Sequence, residues 1–291
     1  MSQPRILCLI AGKGDYPHQV LREARKCPDQ VSRVVVIAFE GETATDWVTE
    51  ADAVHWLRVG QLGKLLNVLR SEKGECAMMA GQITPSRLYD LRPDLKALLL
   101  LAKLKKRNAE TLFGAVADAM AEVGVELLPA TTFMEDYLAT EGHIAGPERK
   151  RRILRDIEFG WPIAKQISAM DVGQSIVVKQ GTVLAVEGYD GTNVTIERGG
   201  QIGKKESSLI KVSKPNQDMR FDVPVIGPDT LLKAAESGVD AIICEAKKTL
   251  LLESERLRQI AQEKRITLWG KKDGLDHESK MDNHSNKREK E

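Results

Sequence analysis

Lys214-Pro215-Asn216-Gln217-Asp218-Met219-Arg220-Phe221-Asp222-Val223-Pro224-Val225-Ile226-Gly227-Pro228 holds the residues with the clearest capacity for chemistry in this chain. Asp218 and Asp222 stand four positions apart, with the cations Lys214 and Arg220 beside them. Pro215, Pro224 and Pro228 keep the stretch from forming one continuous helix. Mg²⁺ prefers carboxylate oxygens and is commonly held by one or two of them with substrate phosphates completing its shell, while Lys and Arg neutralise the remaining phosphate oxygens. The stretch therefore reads as a catalytic loop: Asp222 and Asp218 as metal ligands, Lys214 and Arg220 as phosphate clamps. A polar surface loop closed by its own ion pairs has the same composition and stays open as the alternative.

Further acids gather near turns in the same half of the chain: Asp171 in Met170-Asp171-Val172-Gly173-Gln174-Ser175, then Glu187 and Asp190 at the end of a hairpin pattern. A set rich in oxygen and poor in histidine suits Mg²⁺ or Mn²⁺ rather than zinc. None of the five histidines has a partner at ligand spacing, and His55 and His143 read as structural. No Gly-x-Ser-x-Gly elbow occurs and no cysteine has an activating setting, so covalent acyl chemistry is disfavoured. A metal among carboxylates lowers the pKa of bound water and offsets charge on a phosphoryl oxygen. The residues thus point to metal-assisted hydrolysis of a phosphate ester or anhydride.

The elements that must position these residues follow from hydrophobic spacing. Arg5–Ile10 is an apolar run closed by Gly12-Lys13-Gly14-Asp15, after which Val20, Leu21 and Ala24 recur at helical spacing. Short runs at Val34–Phe39, Val54–Val59, Ala77–Ala80 and Val125–Leu128 alternate with helical patterns at Leu62–Leu69 and Leu112–Met120. Alternating β and α units predict a parallel sheet whose ligands sit beyond the carboxyl ends of its strands. That edge gathers Gly12, Lys13, Gly14 and Asp15, the turn at Gly60–Lys64, and Gly81 with Gln82. The glycine turn is neither Gly-x-Gly-x-x-Gly nor a P-loop, though amides at a helix start still suit a phosphate or ribose hydroxyl. Leu95–Arg107, with its basic end, predicts a core helix with a solvated terminus; an edge that meets acyl chains and lipid head groups is the sharper alternative.

A linker at Gly142–Pro147 opens a second unit. It carries a helical pattern over Glu148–Met170 with a break at Gly160-Trp161-Pro162, a hairpin over Ser175–Glu187, a strand at Ser208–Val212 and a helix at Pro228–Ser237. A strand at Ala241–Ala246, a helix at Ser254–Lys264 and a strand at Ile266–Trp269 follow. The fold class is α/β, divided into an N-terminal Rossmann-like domain over 1–132, a C-terminal catalytic α/β domain over 133–270 and a disordered charged tail over 271–291. With 43 basic against 42 acidic residues among 291 and 4% aromatics, nothing favours nucleic acid as a partner. Cys8, Cys27, Cys76 and Cys244 lack Cys-x-x-Cys spacing and read as reduced thiols of a cytoplasmic protein. No apolar run approaches the ~20 residues that span a bilayer. Asp282-Asn283-His284 matches a metallophosphoesterase fragment by coincidence, since it sits alone in the tail.

In order along the chain, Leu9-Ile10-Ala11-Gly12-Lys13-Gly14-Asp15-Tyr16-Pro17, Met79-Ala80-Gly81-Gln82, Asp171-Val172-Gly173-Gln174-Ser175, Val183-Leu184-Ala185-Val186-Glu187 and Lys214-Pro215-x-Gln217-Asp218-x-Arg220-Phe221-Asp222-x-Pro224-x-x-Gly227 resemble the UDP-2,3-diacylglucosamine pyrophosphatases of the LpxI type. The likeness runs from about Arg5 to Gly270. It implies an enzyme of lipid A biosynthesis that hydrolyses UDP-2,3-diacylglucosamine to UMP and 2,3-diacylglucosamine 1-phosphate with a divalent cation, Mg²⁺ or Mn²⁺. It also implies that the lipid-linked UDP-sugar lies in a cleft between the two domains, and that the family's essential aspartate falls on Asp222. Gly12, Lys13, Gly14, Asp15, Gly81, Gln82, Asp171, Gln174 and Glu187 lie in matching motifs and are the expected substrate contacts. Lys13 and Arg107–Thr111 depart from the family's usual residues, which keeps a non-catalytic nucleotide-sugar binding protein in view as the alternative. Peripheral contact with the inner membrane and a homodimer are left open.

Overall fold

The computed structural model describes residues 3–84, 93–104 and 109–273. They form two compact α/β units whose chain is interleaved. The first takes the chain up to Leu138, then Pro215–Gly227 and Leu250–Ser254; the second takes Ala139–Lys214, Pro228–Thr249 and the chain from Glu255 onward.

The first unit is built on a parallel sheet of five strands: β1 (Arg5–Ala11), β2 (Val31–Phe39), β3 (Ala53–Leu57), β4 (Cys76–Ala80) and β5 (Glu126–Leu127), in the order β3-β2-β1-β4-β5. Its central strands β1, β2 and β4 are largely apolar on both faces because both are covered, whereas the edge strands β3 and β5 carry the exposed Trp56 and Glu126. Leu7 and Leu9 of β1 pack with α1 (Tyr16–Arg25), while Cys8 and Ile10 pack with α2 (Leu62–Ser71) and with Ala117 and Met120 of α4 (Ala109–Ala121). Burial pushes the thiols of Cys8 and Cys76 up to about 12 and about 11, so both are inert.

Helix α3 (Leu95–Lys103) differs from the expected core helix. Its start is fixed by Asp94, which caps it by accepting from Ala97 N at 2.9 Å and also accepts from Gly63 N at 2.7 Å. Of its apolar side chains Ala97 is buried, whereas Leu95, Leu98 and Leu99 are 73%, 50% and 58% exposed. The cap, Ala97 and the partly buried Leu100 tie the helix to the core, and the face of Leu95, Leu98 and Leu99 is left to solvent.

The second unit holds a mixed sheet of β6 (Gly142–Ala145), β13 (Thr267–Lys271), β11 (Val239–Glu245), β9 (Ser207–Lys211), β7 (Ser175–Lys179) and β8 (Thr182–Val186), in that order. β13, β11 and β9 run parallel, and antiparallel strands close both edges. The hairpin β7–β8 turns at Gln180 and Gly181, both with positive φ (47° and 73°), the pairing of left-handed residues that a two-residue hairpin loop requires.

Two expectations fail here. α5 (Lys150–Ala169) is one continuous helix of 20 residues with Pro162 inside it. Its buried face, including Ile153, Ile157, Gly160, Trp161 and Ala164, packs on the sheet and outweighs the one hydrogen bond that proline removes. α6 (Gly191–Gly203) occupies a stretch in which no helix was expected, and α7 (Pro228–Ser237) and α8 (Ser254–Glu263) complete the unit. At the carboxyl end, β13 runs on through Lys271, and Asp273 accepts from Lys165 at 2.9 Å, so residues 271–273 belong to the folded unit. The rest of the charged tail with Asp282-Asn283-His284, and residues 105–108 with the basic Lys105, Lys106 and Arg107, lie outside the described residues.

Candidate functional site

In the first unit, β1 and β4 end side by side, and the turns that follow them are tied together. Lys13 N donates to Gln82 O at 2.7 Å and Gln82 N donates to Lys13 O at 3.1 Å, while Gly12 N donates to Ala80 O at 2.8 Å. Glycine is required for this approach. A Cβ on Gly12 would stand 2.5 Å from Gln82 O, and one on Gly81, at φ +88°, would stand 2.7 Å from Lys13 O. The clasp also takes up the amides of Gly12, Lys13 and Gln82, so none of these three receives a phosphate; Gly14 and Asp15, exposed at the start of α1, remain as the open part of the turn. Two residues of this edge that the spacing did not reveal are Glu42, buried and accepting from Thr84 Oγ1 at 2.9 Å, and Thr43, whose hydroxyl accepts from Phe39 N and donates to Ala11 O. A carboxylate buried at the end of a strand gives no periodic signal.

The Asp218–Asp222 loop, assigned from sequence to the C-terminal domain, is part of the first unit by its contacts. Ala130 N donates to Met219 O at 2.7 Å, and Ala130 O in turn accepts the Tyr16 hydroxyl of α1. Phe221 lies against Phe113 of α4, ring centres 5.7 Å apart, and β10 (Val225–Ile226) pairs in parallel with β12 (Leu250–Leu251). Within the loop, Arg220 grips Asp218 as a fork: Nε to Oδ1 at 2.9 Å and Nη2 to Oδ2 at 2.6 Å. The hydrogen bonds from Arg220 hold the Asp218 carboxyl below its ordinary range, against the opposing effect of burial. Nη1 of Arg220 makes no protein hydrogen bond among the described residues. Asp222 N donates to Asp218 O at 3.0 Å, which places both aspartates on one tight turn.

The other sequence-assigned residues meet at one edge of the second unit's sheet. Gly173 lies against the Glu187 backbone, where a Cβ would stand 2.2 Å from Glu187 O. Glu187 accepts from Gln174 N at 3.3 Å and from the Thr192 hydroxyl at 2.9 Å, and Thr192 accepts from Lys211 at 3.1 Å. Gln174 O accepts from Val212 N at 2.9 Å, and Lys214 forms an ion pair with Asp171. Behind them sits Glu245, fully buried at the end of β11 and missed from sequence. Its Oε2 accepts from Ser213 N at 2.8 Å, Ser213 Oγ at 2.7 Å and Lys165 at 3.1 Å. Burial works against that charge, but the hydrogen bonds from Lys248 and Ser213, with the Lys165 ammonium, hold Glu245 below its ordinary value. A buried carboxylate so held fixes Ser213, and hence the point at which the chain leaves for Lys214 and the loop.

Among the described residues no group of three or more His, Cys, Asp or Glu side chains comes together to hold a metal ion. The structure gives Asp218 another partner than a metal, the Arg220 fork. Asp222 is the loop's other carboxylate, and a single carboxylate is a number of protein ligands that Mg²⁺ accepts when phosphates and waters complete its shell.

Two family matches divide the chain: residues 6–137 match the LpxI N-terminal domain and residues 140–269 the LpxI C-terminal domain. A curated relative from Caulobacter vibrioides, named UDP-2,3-diacylglucosamine pyrophosphatase LpxI, is 28% identical over 262 residues, covering 86% of this chain and 92% of the relative. Among solved structures, the biotin carboxylase domain of the Hydrogenobacter thermophilus 2-oxoglutarate carboxylase aligns at 15% identity and a TM-score of 0.27, over 62% of this chain and 36% of that one. The pyruvate carboxylase of Rhizobium etli aligns at 13% identity and a TM-score of 0.29, over 62% of this chain and 15% of that one. Likenesses so low carry no conclusion about fold or chemistry.

Proposed function

This chain belongs to the LpxI family, and on that premise we propose that it hydrolyses UDP-2,3-diacylglucosamine to UMP and 2,3-diacylglucosamine 1-phosphate with the aid of Mg²⁺ or Mn²⁺. The observation that carries the reading is the match to both domains of that family in order, together with a relative of that name over 92% of its length. Water oxygen bonds to one phosphorus, the bridging P–O bond breaks, and the departing phosphate keeps the bridging oxygen. Asp222 would hold the cation together with diphosphate oxygens and orient the attacking water. When bound, the cation offsets the charge on the phosphoryl oxygens and lowers the pKa of water. Asp218 keeps Arg220 turned so that its unused N–H groups face a phosphate, because one edge of the guanidinium is already engaged. In the second unit, Asp171 holds the Lys214 ammonium in an ion pair.

A substrate that carries two acyl chains gives the leucine face of α3 a role. Leu95, Leu98 and Leu99 are exposed beside Lys96 and Lys103, and no helix among the described residues is long and apolar enough to cross a membrane. A short apolar face flanked by lysines suits the interface between acyl chains and anionic headgroups. Leu98→Asp/Leu99→Asp is expected to lower flotation with phosphatidylglycerol vesicles several-fold; unchanged flotation removes this role from α3.

The deciding assay is chromatographic analysis of phosphate products from UDP-2,3-diacylglucosamine with Mg²⁺, with Mn²⁺ and with chelator. UMP that forms with metal and disappears with chelator supports the proposal. Folded protein that binds the substrate without releasing UMP under either metal overturns it in favour of a nucleotide-sugar binding protein.

A further inference from the structure

A second site is carried by the opposite edge of the second unit's sheet. Gln174, Glu187 and Lys214 gather where β9 and β11 end, whereas an open cleft of about 1190 Å³ lies where β9, β11 and β13 begin, roughly one five-residue strand or ~15 Å away. The N-terminus of α5, the Gln180-Gly181 hairpin turn and the loops before the three strands line it. Eight of its lining residues are Lys or Arg and four are Asp or Glu, a surplus of four positive charges in a chain whose net charge is +1.

The charges fall into two sets. Arg149 and Arg152 build the wall. Arg149 Nη1 donates to Asp240 O, Arg265 O and Thr267 Oγ1 at 2.9, 3.0 and 2.9 Å, and Arg152 pairs with Asp240 at 2.8 Å. Lys150, Arg151, Arg155, Lys205, Lys264 and Arg265 form the second set. All six are exposed, line the cleft and form no ion pair among the described residues. They come from three separate stretches of chain, so their convergence is a product of the fold and not of one basic run.

Local energetics oppose this arrangement unless an anion is present. The first turn of α5 has no acidic residue and no side-chain cap, yet it carries Lys150, Arg151 and Arg152 at the positive end of the helix dipole. Like charges in a concave wall raise the local potential further. An anion relieves both effects.

We propose that this cleft binds a soluble small molecule bearing two or more phosphate groups, at a site separate from the Asp222 loop. The concave shape, into which cations from three stretches of chain converge, favours a small polyanion over an extended one. Phe159 is the one aromatic residue that lines it, too few to stack the bases of a nucleic acid strand.

Inorganic pyrophosphate without divalent ions is the probe, and calorimetry on the full chain the measurement. Saturable binding is expected, weakened at least tenfold in Arg151→Glu/Lys264→Glu with an unchanged circular dichroism spectrum. Binding that is absent, or that the double variant keeps, overturns the proposal. Should the double variant misfold, acetylation footprinting of the native chain decides. Protection of Lys150, Lys205 and Lys264 by pyrophosphate supports the site, and protection of Lys214 alone overturns it. Phosphatidylglycerol vesicles and a short oligonucleotide serve as further arms, and protection of the same lysines by either one but not by pyrophosphate also overturns it. None of these readouts depends on UMP release, so the cleft and the proposed hydrolysis stand or fall separately.

Discussion

Asp222→Ala is expected to lower UMP release by a factor on the order of 10³ or more while leaving the chain folded. The loop that carries Asp222 is held by the Ala130–Met219 hydrogen bond, the Phe113–Phe221 ring contact, the Arg220–Asp218 fork and the β10–β12 pairing, all of which the substitution leaves in place. Asp222→Asn keeps the size of the side chain and removes its charge, so an equal loss in both variants assigns the effect to charge. Asp218→Asn should cost less, roughly 10- to 100-fold, since it frees the Arg220 guanidinium to reorient without removing it from the site. Chromatographic UMP assays alongside thermal melts separate these cases. Undiminished turnover by a folded Asp222→Ala protein would end the role assigned to this residue.

How far the loop and its surroundings could be read from the sequence depends on the kind of signal each element carries. The parallel sheet of the first unit was legible because its central strands are buried on both faces and read as plain apolar runs, with helical spacing between them. The hairpin β7–β8 was legible from its alternation and its Gln180-Gly181 turn. Helix α6 was not, because Gly199, Gly200 and Gly203 contradict helix propensity. Each of them packs where a side chain cannot: a Cβ would stand 2.5 Å from Val177 Cβ, 2.3 Å from Ser237 O and 2.5 Å from Leu184 Cδ1. Tertiary contact thus overrides local preference. In α3 the reverse happens, for a run of leucines reads as core by composition although three of its leucines face solvent. The attachment of the Asp222 loop to the first unit was hidden for a third reason. It rests on backbone groups, Ala130 with Met219 and Pro224 with Leu250, which any sequence supplies, and on contacts of Phe221, Val223 and Val225 with residues far away in sequence.

Gly81→Ala should be the most damaging single methyl in the first unit, lowering unfolding free energy by about 2–4 kcal/mol. Its φ of +88° already disfavours any side chain, and the added Cβ would stand 2.7 Å from Lys13 O, 2.9 Å from the carbonyl carbon of Gly12 and 2.9 Å from Pro17 Cγ. Backbone on two sides and the proline ring at the start of α1 have no rotamer by which to yield. Relief has to come from parting the two turns, which lengthens the reciprocal Lys13–Gln82 hydrogen bonds and shifts Lys13 and Gly14 together. Gly14→Ala is the matched control: its φ is +95°, but a Cβ there meets nothing within 4 Å. It bears the conformational cost without the crowding, about 1 kcal/mol. Urea denaturation of the two variants measures the difference. Equal losses would show that left-handed strain alone sets the requirement for glycine; a larger loss at Gly81, with a raised KM in the UMP assay, would show that the contact between the two turns shapes the substrate-facing edge.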